Sequence, residues 1–249
     1  MAKDAGMGDQ FYIDGYDIGG DIQSLQRIGG GPNSPLGATD ITQGAMARFG
    51  GQLYGGMGFT SYHNVAANQE HARLSTLPRT DVVATWGHGT TLGNASASCV
   101  AKQINYDPNR GQNGELLFSV DLESNAYGLT IGQMLTAGKR TDTAATNGTS
   151  VDLGTVSPGA FGLVMFVHVF AFTGTSVTIK IQESSDNGSG DAFADVVGAT
   201  TGALSAIGAV RVQTGLINVE RYLRVVTTGT FNPATFWVQA TRFDTSVVF

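Results

Sequence analysis

Apolar and polar positions alternate along much of this chain, and the pattern predicts β-strands. The clearest example in the first half runs over residues 115–123. Its apolar set is Leu116, Phe118, Val120 and Leu122, and its polar set is Glu115, Ser119, Asp121 and Glu123. A period of two places these sets on opposite faces of a strand. We therefore expect a half-buried strand whose outer face is acidic through Glu115, Asp121 and Glu123.

Longer apolar runs dominate the second half. Residues 161–172 are almost continuously apolar, which is typical of a strand covered on both faces. A Thr-Gly pair at 173–174 predicts a short turn, and residues 177–182 then alternate. Residues 221–228 and 235–242 predict two more strands around a connection. This spacing favours a β-sandwich of about 95 residues.

The remaining first-half pattern predicts short strands separated by turns. We expect two short strands within 11–28, a loop from 29, and strands over 53–63, 81–86 and 95–106, followed by a turn-rich connection over 107–114. The best helix spans 68–77, with Asn68 as its cap and Pro78 as its stop. A weaker helix or turn follows the capping pair Asp40 and Gln43.

Residues 141–150 contain no large apolar side chain, and we place a domain boundary there. The prediction is a first β domain over 1–150, which has many strands, one short helix, an N-terminal arm and a long loop. A β-sandwich domain would occupy 151–249. The fold class is accordingly mainly β.

Composition and charge narrow the function classes. The chain has 249 residues, only 14% of them charged, and 35 glycines, which suits many strands and tight turns better than a helical bundle. The formal net charge is −6, with 9 basic and 13 acidic residues in 1–150. No basic patch stands out, so specific nucleic-acid binding is disfavoured. Neither a signal peptide nor a membrane helix of ~20 apolar residues is apparent.

Catalytic and metal-binding patterns are also missing. One cysteine, Cys99, rules out an intrachain disulfide and a cysteine zinc site, and we interpret it as an inert core thiol. The four histidines do not follow a metal-ligand motif, and His168 on an apolar strand predicts a hydrogen-bonded core histidine. No nucleophile elbow is present. We expect no enzyme activity, no cofactor and no metal.

Two further groups have a functional and a structural interpretation. Residues 186–191 could loosely cage calcium, but a hairpin turn explains them better. The aromatic residues Trp237, Tyr222 and Phe236 could line a sugar site, whereas strand alternation places at least Phe236 in the core.

Four stretches of the first half resemble the major tail (tail-tube) proteins of long-tailed, non-contractile bacteriophages. They are residues 11–25, 57–64, 71–82 and 135–148. The resemblance implies two packed β-sheets with one helix and a long loop, assembled as stacked hexameric rings. It implies a location in the virion tail after synthesis in the host cytoplasm, and no contact with a membrane. The expected partners are copies of the chain itself and other tail proteins, namely the tape measure, tail terminator and distal tail proteins.

In such a tube DNA passes without specific binding, and an acidic wall would repel phosphate within a screening length of about 8 Å. The acidic strand face is the candidate lumen lining, although the same pattern suits an ordinary outer surface. Ring contacts would come from segments 1–27 and 29–52, which do not resemble a self-sufficient core. The candidates are Phe11, Tyr12, Tyr16, Ile18, Ile22, Leu25, Pro32, Pro35 and Leu36.

Two other interpretations stay open. A capsid decoration protein is also built from β-sandwiches but would coat a lattice and not polymerise alone. A carbohydrate-binding virion adhesin would use the second domain.

Overall fold

Antiparallel β-strands make up most of the computed structural model, which describes residues 6–32, 36–37, 48–49 and 52–245. The mainly β fold class is confirmed. Within these ranges no helix has the length and apolar character needed to cross a bilayer.

The elements of the first half are short except for three strands. They are β1 (Gln10–Ile13), β2 (Tyr16–Asp17), a 3₁₀ turn (Gly19–Asp21), β3 (Ile22–Pro32), β4 (Leu36–Gly37), β5 (Arg48–Phe49), β6 (Leu53–Tyr62), α1 (Glu70–Leu74), β7 (Val82–Gly87), β8 (Ala95–Gln103), β9 (Asp107–Arg110) and β10 (Leu116–Met134). The elements of the second half are β11 (Arg140–Asp142), β12 (Asn147–Asp152), β13 (Leu163–Ser184), β14 (Ala194–Thr200), β15 (Gly208–Gln213) and β16 (Tyr222–Arg242).

The long strand β10 changes partners along its length and so organises the first half. Its start pairs with β6 and β9. It pairs with β8 from Leu122 to Gln133, with an irregularity between Ser124 and Leu129. This switch lets a β3–β6–β10 layer fold over a β10–β8–β7–β1 layer. The core between them is apolar. It includes Phe11, Ile13, Ile18, Met57, Phe59, Leu74, Cys99, Val120 and Leu122.

Two long strands, β13 and β16, form the frame of the second half. They pair antiparallel from Leu163 opposite Arg242 to Ser184 opposite Tyr222. The strands β14 and β15 flank β13, and β11 and β12 flank β16. Their inner faces bury a second core, and the apolar run 163–169 is fully buried as predicted.

The predicted Thr-Gly turn at 173–174 is wrong. The strand β13 continues through these residues, and its pairing with β16 shifts register three times between Val169 and Ser176. Gly174 has a φ of 140°. Bulges therefore bend the strand without reversing it, because the partner strand supplies hydrogen bonds on both sides of the bend. For the same reason β16 runs unbroken through the connection predicted after residue 228.

Three local predictions for the first half also need correction. Residues 29–32 belong to β3, since β6 supplies a ladder that the glycines and proline do not exclude. The helix is only Glu70–Leu74, and Asn68 has a φ of 62° and does not cap it. Residues 107–110 form β9 against β10, so the turn is confined to the residues after them. The predicted strands over 53–63, 81–86 and 95–106 are confirmed to within three residues.

The boundary predicted between residues 150 and 151 stays a prediction. Residues within the predicted linker form β11 and β12, which pair with β16. Leu135 and Val151 pack in the core of the second half. The stretch from 135 onward is thus packed with the later strands.

A buried polar chain joins the two halves. His168 on β13 accepts a hydrogen bond from the Gly15 N–H at Nδ1 (3.2 Å), and its Nε2 lies 2.9 Å from Thr85 Oγ1 on β7. The Thr85 hydroxyl lies 2.7 Å from that of Ser98, which donates to Gln239 on β16. These side chains are 0% exposed. The predicted hydrogen-bonded core histidine is confirmed, and burial lowers the pKa of His168 to about 3.

Candidate assembly surface

The strand β3 forms an open edge of the sheet. Among the described strands it pairs with β6 alone, from Ile22 opposite Ser61 to Pro32 opposite Leu53. Residues 23–27, Gln-Ser-Leu-Gln-Arg, are all exposed, since this stretch has too few apolar side chains to be covered. Eleven residues are long for an edge strand, and an unpaired edge is a template for another strand.

A cleft of about 430 Å³ lies beside this edge. It is lined by residues of β1 and β3 and by one ring from β7. The lining side chains include Gln10, Phe11, Ile22, Gln23, Leu25 and Trp86. Leu25 is 37% exposed, so the edge offers both backbone groups and an apolar side chain.

The acidic face of β10 lies next to the edge strand. Asp121 pairs with Gly58 and Glu123 with Gly56 on β6, and the two carboxylate side chains occupy the space over these glycines. A Cβ at Gly58 would lie 2.9 Å from Asp121 Oδ1. The carboxylates and β3 therefore share one surface.

Glu123 is paired with a cation from β3. Arg27 Nη1 lies 3.5 Å from Glu123 Oε1, and the Tyr54 hydroxyl donates to Glu123 Oε2. The Arg27 guanidinium also lies 5.0 Å from the centre of the Tyr54 ring. Arg27 thus offsets the negative charge of Glu123 on the predicted acidic face. No local sequence pattern marks Arg27 for this role, because only strand order brings it beside Glu123.

Among the described residues, Asp121 has no cation placed beside it in the way that Arg27 lies beside Glu123. Its carboxylate accepts from Asn105 Nδ2 at 3.0 Å, and no ion pair to it exists within the described ranges. Glu115 lies half-buried before β10 and folds over Gly111, where a Cβ would lie 2.2 Å from its Oε1. In β10 itself Leu116 is exposed and Leu117 is buried, which reverses the predicted alternation at the strand's start. Whether these carboxylates face a lumen stays a prediction.

The structure divides the predicted contact residues into two groups. Phe11, Tyr12 and Ile18 are at most 2% exposed and pack inside the chain's own core, so the prediction that this segment lies outside a core is wrong there. Strand β1 is held by pairing with β7. Tyr16 and Ile22 are half-buried, and Leu25 is exposed.

Three further contact candidates, Pro32, Pro35 and Leu36, come from the end of β3 and the segment after it. Pro32 and Leu36 lie in strands β3 and β4. Pro35 and the predicted helix after Asp40 lie outside the described residues. The inter-subunit role of all the predicted contact residues stays a prediction.

The structure bears on the two alternative sites considered from the sequence. Trp237 and Phe236 are 0% exposed, so neither ring can stack on a sugar. In the 186–191 turn, the carboxylate of Asp186 accepts hydrogen bonds from the backbone N–H groups of Ser189, Gly190 and Asp191. These bonds explain the turn.

Cys99 on β8 is buried as predicted, and burial raises its pKa to about 12. One group of potential metal ligands exists in the described ranges, and it consists of His63, Glu70 and His71.

Comparisons with known proteins found no matching family model and no matching curated protein. Solved structures do resemble the chain, with very low sequence identity. The Dit protein of phage SPP1, described as a hub adsorption apparatus of phages that infect Gram-positive bacteria, has a TM-score of 0.34 and 11% identity, covering 94% of this chain and 99% of that chain. A chain of the phage P2 baseplate in its activated conformation with Ca has a TM-score of 0.32 and 11% identity, covering 96% and 99%. The corresponding baseplate chain with Sr has a TM-score of 0.32 and 9% identity, covering 95% and 99%.

Proposed function

We propose that this chain is a structural virion protein that assembles as stacked hexameric rings and forms the tail tube through which phage DNA is ejected. The open edge of β3 is the observation that carries this proposal, because an eleven-residue strand whose second side has no partner among the described strands is suited to pairing with another copy. The resemblance of four stretches within 11–148 to major tail proteins supports it.

In the proposed ring, β3 of one copy meets a strand of its neighbour. Head-to-tail pairing of two different surfaces closes a ring when the rotation between copies allows it. Leu25 and the cleft beside β1 and β3 supply apolar area at this contact. The backbone groups of the edge supply hydrogen bonds that water makes in the free chain.

The acidic surface fits passage of DNA without adhesion. Asp121 and the Glu123–Arg27 pair lie beside the edge strand and carry a net negative charge. Proteins bind DNA largely through cationic side chains that contact phosphate and release its counterions. A negatively charged wall does not make such contacts. The other tail proteins are the expected partners at the two ends of the tube, and no membrane contact is part of the proposal.

Negative-stain electron microscopy of the purified protein over a range of concentrations tests the proposal. Long tubes with a regular axial repeat are the expected result. Closed rings that never stack would favour a hub-type component. Dispersed small oligomers that bind only to a capsid lattice would favour a decoration protein, and glycan-array binding would favour an adhesin. Strictly monomeric protein at high concentration would overturn the proposal.

A further inference from the structure

A fully buried carboxylate lies at the start of α1. Glu70 is 0% exposed, and its hydrogen-bond donors among the described residues are neutral. Its Oε1 accepts from Tyr106 Oη (2.5 Å) and Ser61 Oγ (3.2 Å), and its Oε2 accepts from the Asn64 N–H (3.3 Å). Hydrogen bonds of this kind orient a carboxylate, but they do not neutralise it.

A second carboxylate lies against the same backbone. Asp21 is 7% exposed, and its oxygens accept from the Glu70 N–H at 3.2 Å and from Asn64 Nδ2 at 2.7 Å. Neither Asp21 nor Glu70 has a lysine or arginine partner within the described part of the chain. Desolvation disfavours an uncompensated buried charge, so a cation between these carboxylates would stabilise the fold.

Two imidazoles adjoin Glu70. One potential ligand atom from each of His63, Glu70 and His71 lies within 4.8 Å of the others. The two rings are 4.5 Å apart between centroids and almost perpendicular. His63 Nδ1 is buried and lacks a hydrogen-bond partner among the described residues. A buried imidazole nitrogen that lacks a hydrogen-bond partner among the described residues, close to a buried carboxylate, is suited to bind a metal ion.

We propose that His63, Glu70 and His71 bind one divalent transition-metal ion, with zinc as the best-suited ion. Two imidazoles and one carboxylate match the ligands zinc takes, and imidazole disfavours calcium and magnesium. Ligand bonds of about 2.0–2.1 Å around a tetrahedral ion place the ligand atoms about 3.4 Å apart. The ligand atoms, which lie within 4.8 Å of one another, must therefore approach by up to about 1.4 Å, and a water molecule would complete the coordination.

The surrounding groups suit this role. The hydroxyl of Tyr106 bridges the two ligands, since it lies 2.8 Å from His71 Nδ1 and donates to Glu70 Oε1. Contacts of this type fix the orientation of ligating side chains. The ring of Tyr106 stacks on Phe118 of β10 at 4.1 Å between centroids. The ion would thus connect the end of β6, α1 and the segment before β9.

The sequence did not indicate this site. His63 and His71 are eight positions apart with Glu70 immediately before His71, which matches no familiar metal motif. The fold of residues 61–71 brings them together. This proposal replaces the prediction, made from the sequence, that the protein binds no metal. The site does not depend on the proposed assembly.

The test uses full-length dispersed protein that has been stripped with EDTA. Titration with Zn²⁺ by calorimetry should give one equivalent per chain, and Co²⁺ should give visible d–d absorption of a four-coordinate site. His63→Gln and His71→Gln should each weaken Zn²⁺ binding by at least about 100-fold, since loss of an outer-shell partner alone costs 10–100-fold. The matched control His88→Gln should bind like the wild type.

A second measurement separates a metal site from a purely structural cluster. Glu70→Gln removes the buried charge, so in EDTA its unfolding temperature should exceed that of the wild type, and Zn²⁺ should no longer raise it. Absence of stoichiometric binding to the wild type would overturn the proposal. So would binding that survives both histidine substitutions, or binding that is lost in His88→Gln.

Discussion

The imidazole of His168 and the hydroxyl of Thr85 meet at 2.9 Å across the junction of the two halves of the chain, 83 positions apart. Because Gly15 donates to Nδ1, the proton of the neutral ring lies on Nε2 and points to Thr85. The Thr85 hydroxyl then donates to the Ser98 hydroxyl, and Ser98 donates to Gln239. The junction is therefore held by directional bonds as well as by apolar packing.

Acidification should lower the stability of the protein, because His168 is buried in its neutral form. Burial lowers the pKa of this group to about 3 from its ordinary value near 6.5. Between these values the unfolded chain binds a proton that the folded chain does not, so the free energy of unfolding rises with pH over this range. The stability that the neutral His168 contributes is lost as the pH falls below 6.5. The loss should be about 2 kcal/mol at pH 5. Urea unfolding at pH 5 and 7.5 measures it.

His168→Gln provides the comparison, because carboxylates also titrate in this range. The variant should be less stable than the wild type at pH 7.5 by about 1–3 kcal/mol, since it disturbs a buried hydrogen-bonded chain. Its stability should depend less on pH. An equal pH dependence in both proteins would contradict a neutral buried His168.

Gly174→Ala should destabilise the bend in β13. Gly174 has a φ of 140°, and an added Cβ would lie 2.4 Å from the Thr230 carbonyl oxygen. We expect a loss of about 3 kcal/mol in the free energy of unfolding, from backbone strain and overpacking together. The matched change Gly215→Ala meets no atom within 4 Å and should stay within about 0.5 kcal/mol. Similar urea midpoints for the two variants would contradict a bulged, continuous strand.

Leu25→Lys should block assembly and leave the monomer folded. Leu25 is 37% exposed on the open edge of β3, and lysine on a strand edge opposes pairing with another strand. The free energy of unfolding should change by less than about 1 kcal/mol. Sedimentation velocity and electron microscopy report the loss of rings or tubes.

Leu216→Lys makes the same change at a residue that is 75% exposed in the second half and should leave assembly intact. Tubes formed by Leu25→Lys would count against β3 as the ring contact.

Asp121→Lys combined with Glu123→Lys should make assembled protein retain DNA. Glu123 now offsets Arg27, so the double change adds two cations beside an existing one and gives phosphate a binding surface. Stability should fall by no more than about 1 kcal/mol, because the ion pair is exposed. Co-sedimentation of duplex DNA with assembled protein across a salt series measures retention, which should weaken as salt rises.

Asp152→Lys with Asp195→Lys makes the same change in net charge on exposed residues of the second half. This control should not retain DNA if it lies outside the lumen. Equal retention by both variants would argue against a lumen position for the acidic strand.

Alternation was sufficient to predict the strands whose two faces differ. From Phe118 onward in β10, and along the apolar run of β13, side-chain burial followed the local sequence pattern, as it did for Cys99 and His168. Turn residues were less reliable. Thr173–Gly174 and residues 29–32 contain turn-forming types, yet each lies within a strand because a neighbouring strand completes its hydrogen bonds.

The amino-acid order was thus enough to establish a mainly β chain with an acidic strand and no familiar catalytic motif. Folding added the relationships between distant positions. It buried Phe11 and Tyr12 in the chain's own core, set Arg27 against Glu123, and gathered His63, Glu70 and His71 around one buried point. The alternation of apolar and polar side chains is set by residues that are neighbours in the chain. Strand order and layer packing depend instead on which distant segments share a core, and the local pattern carries no information about that choice.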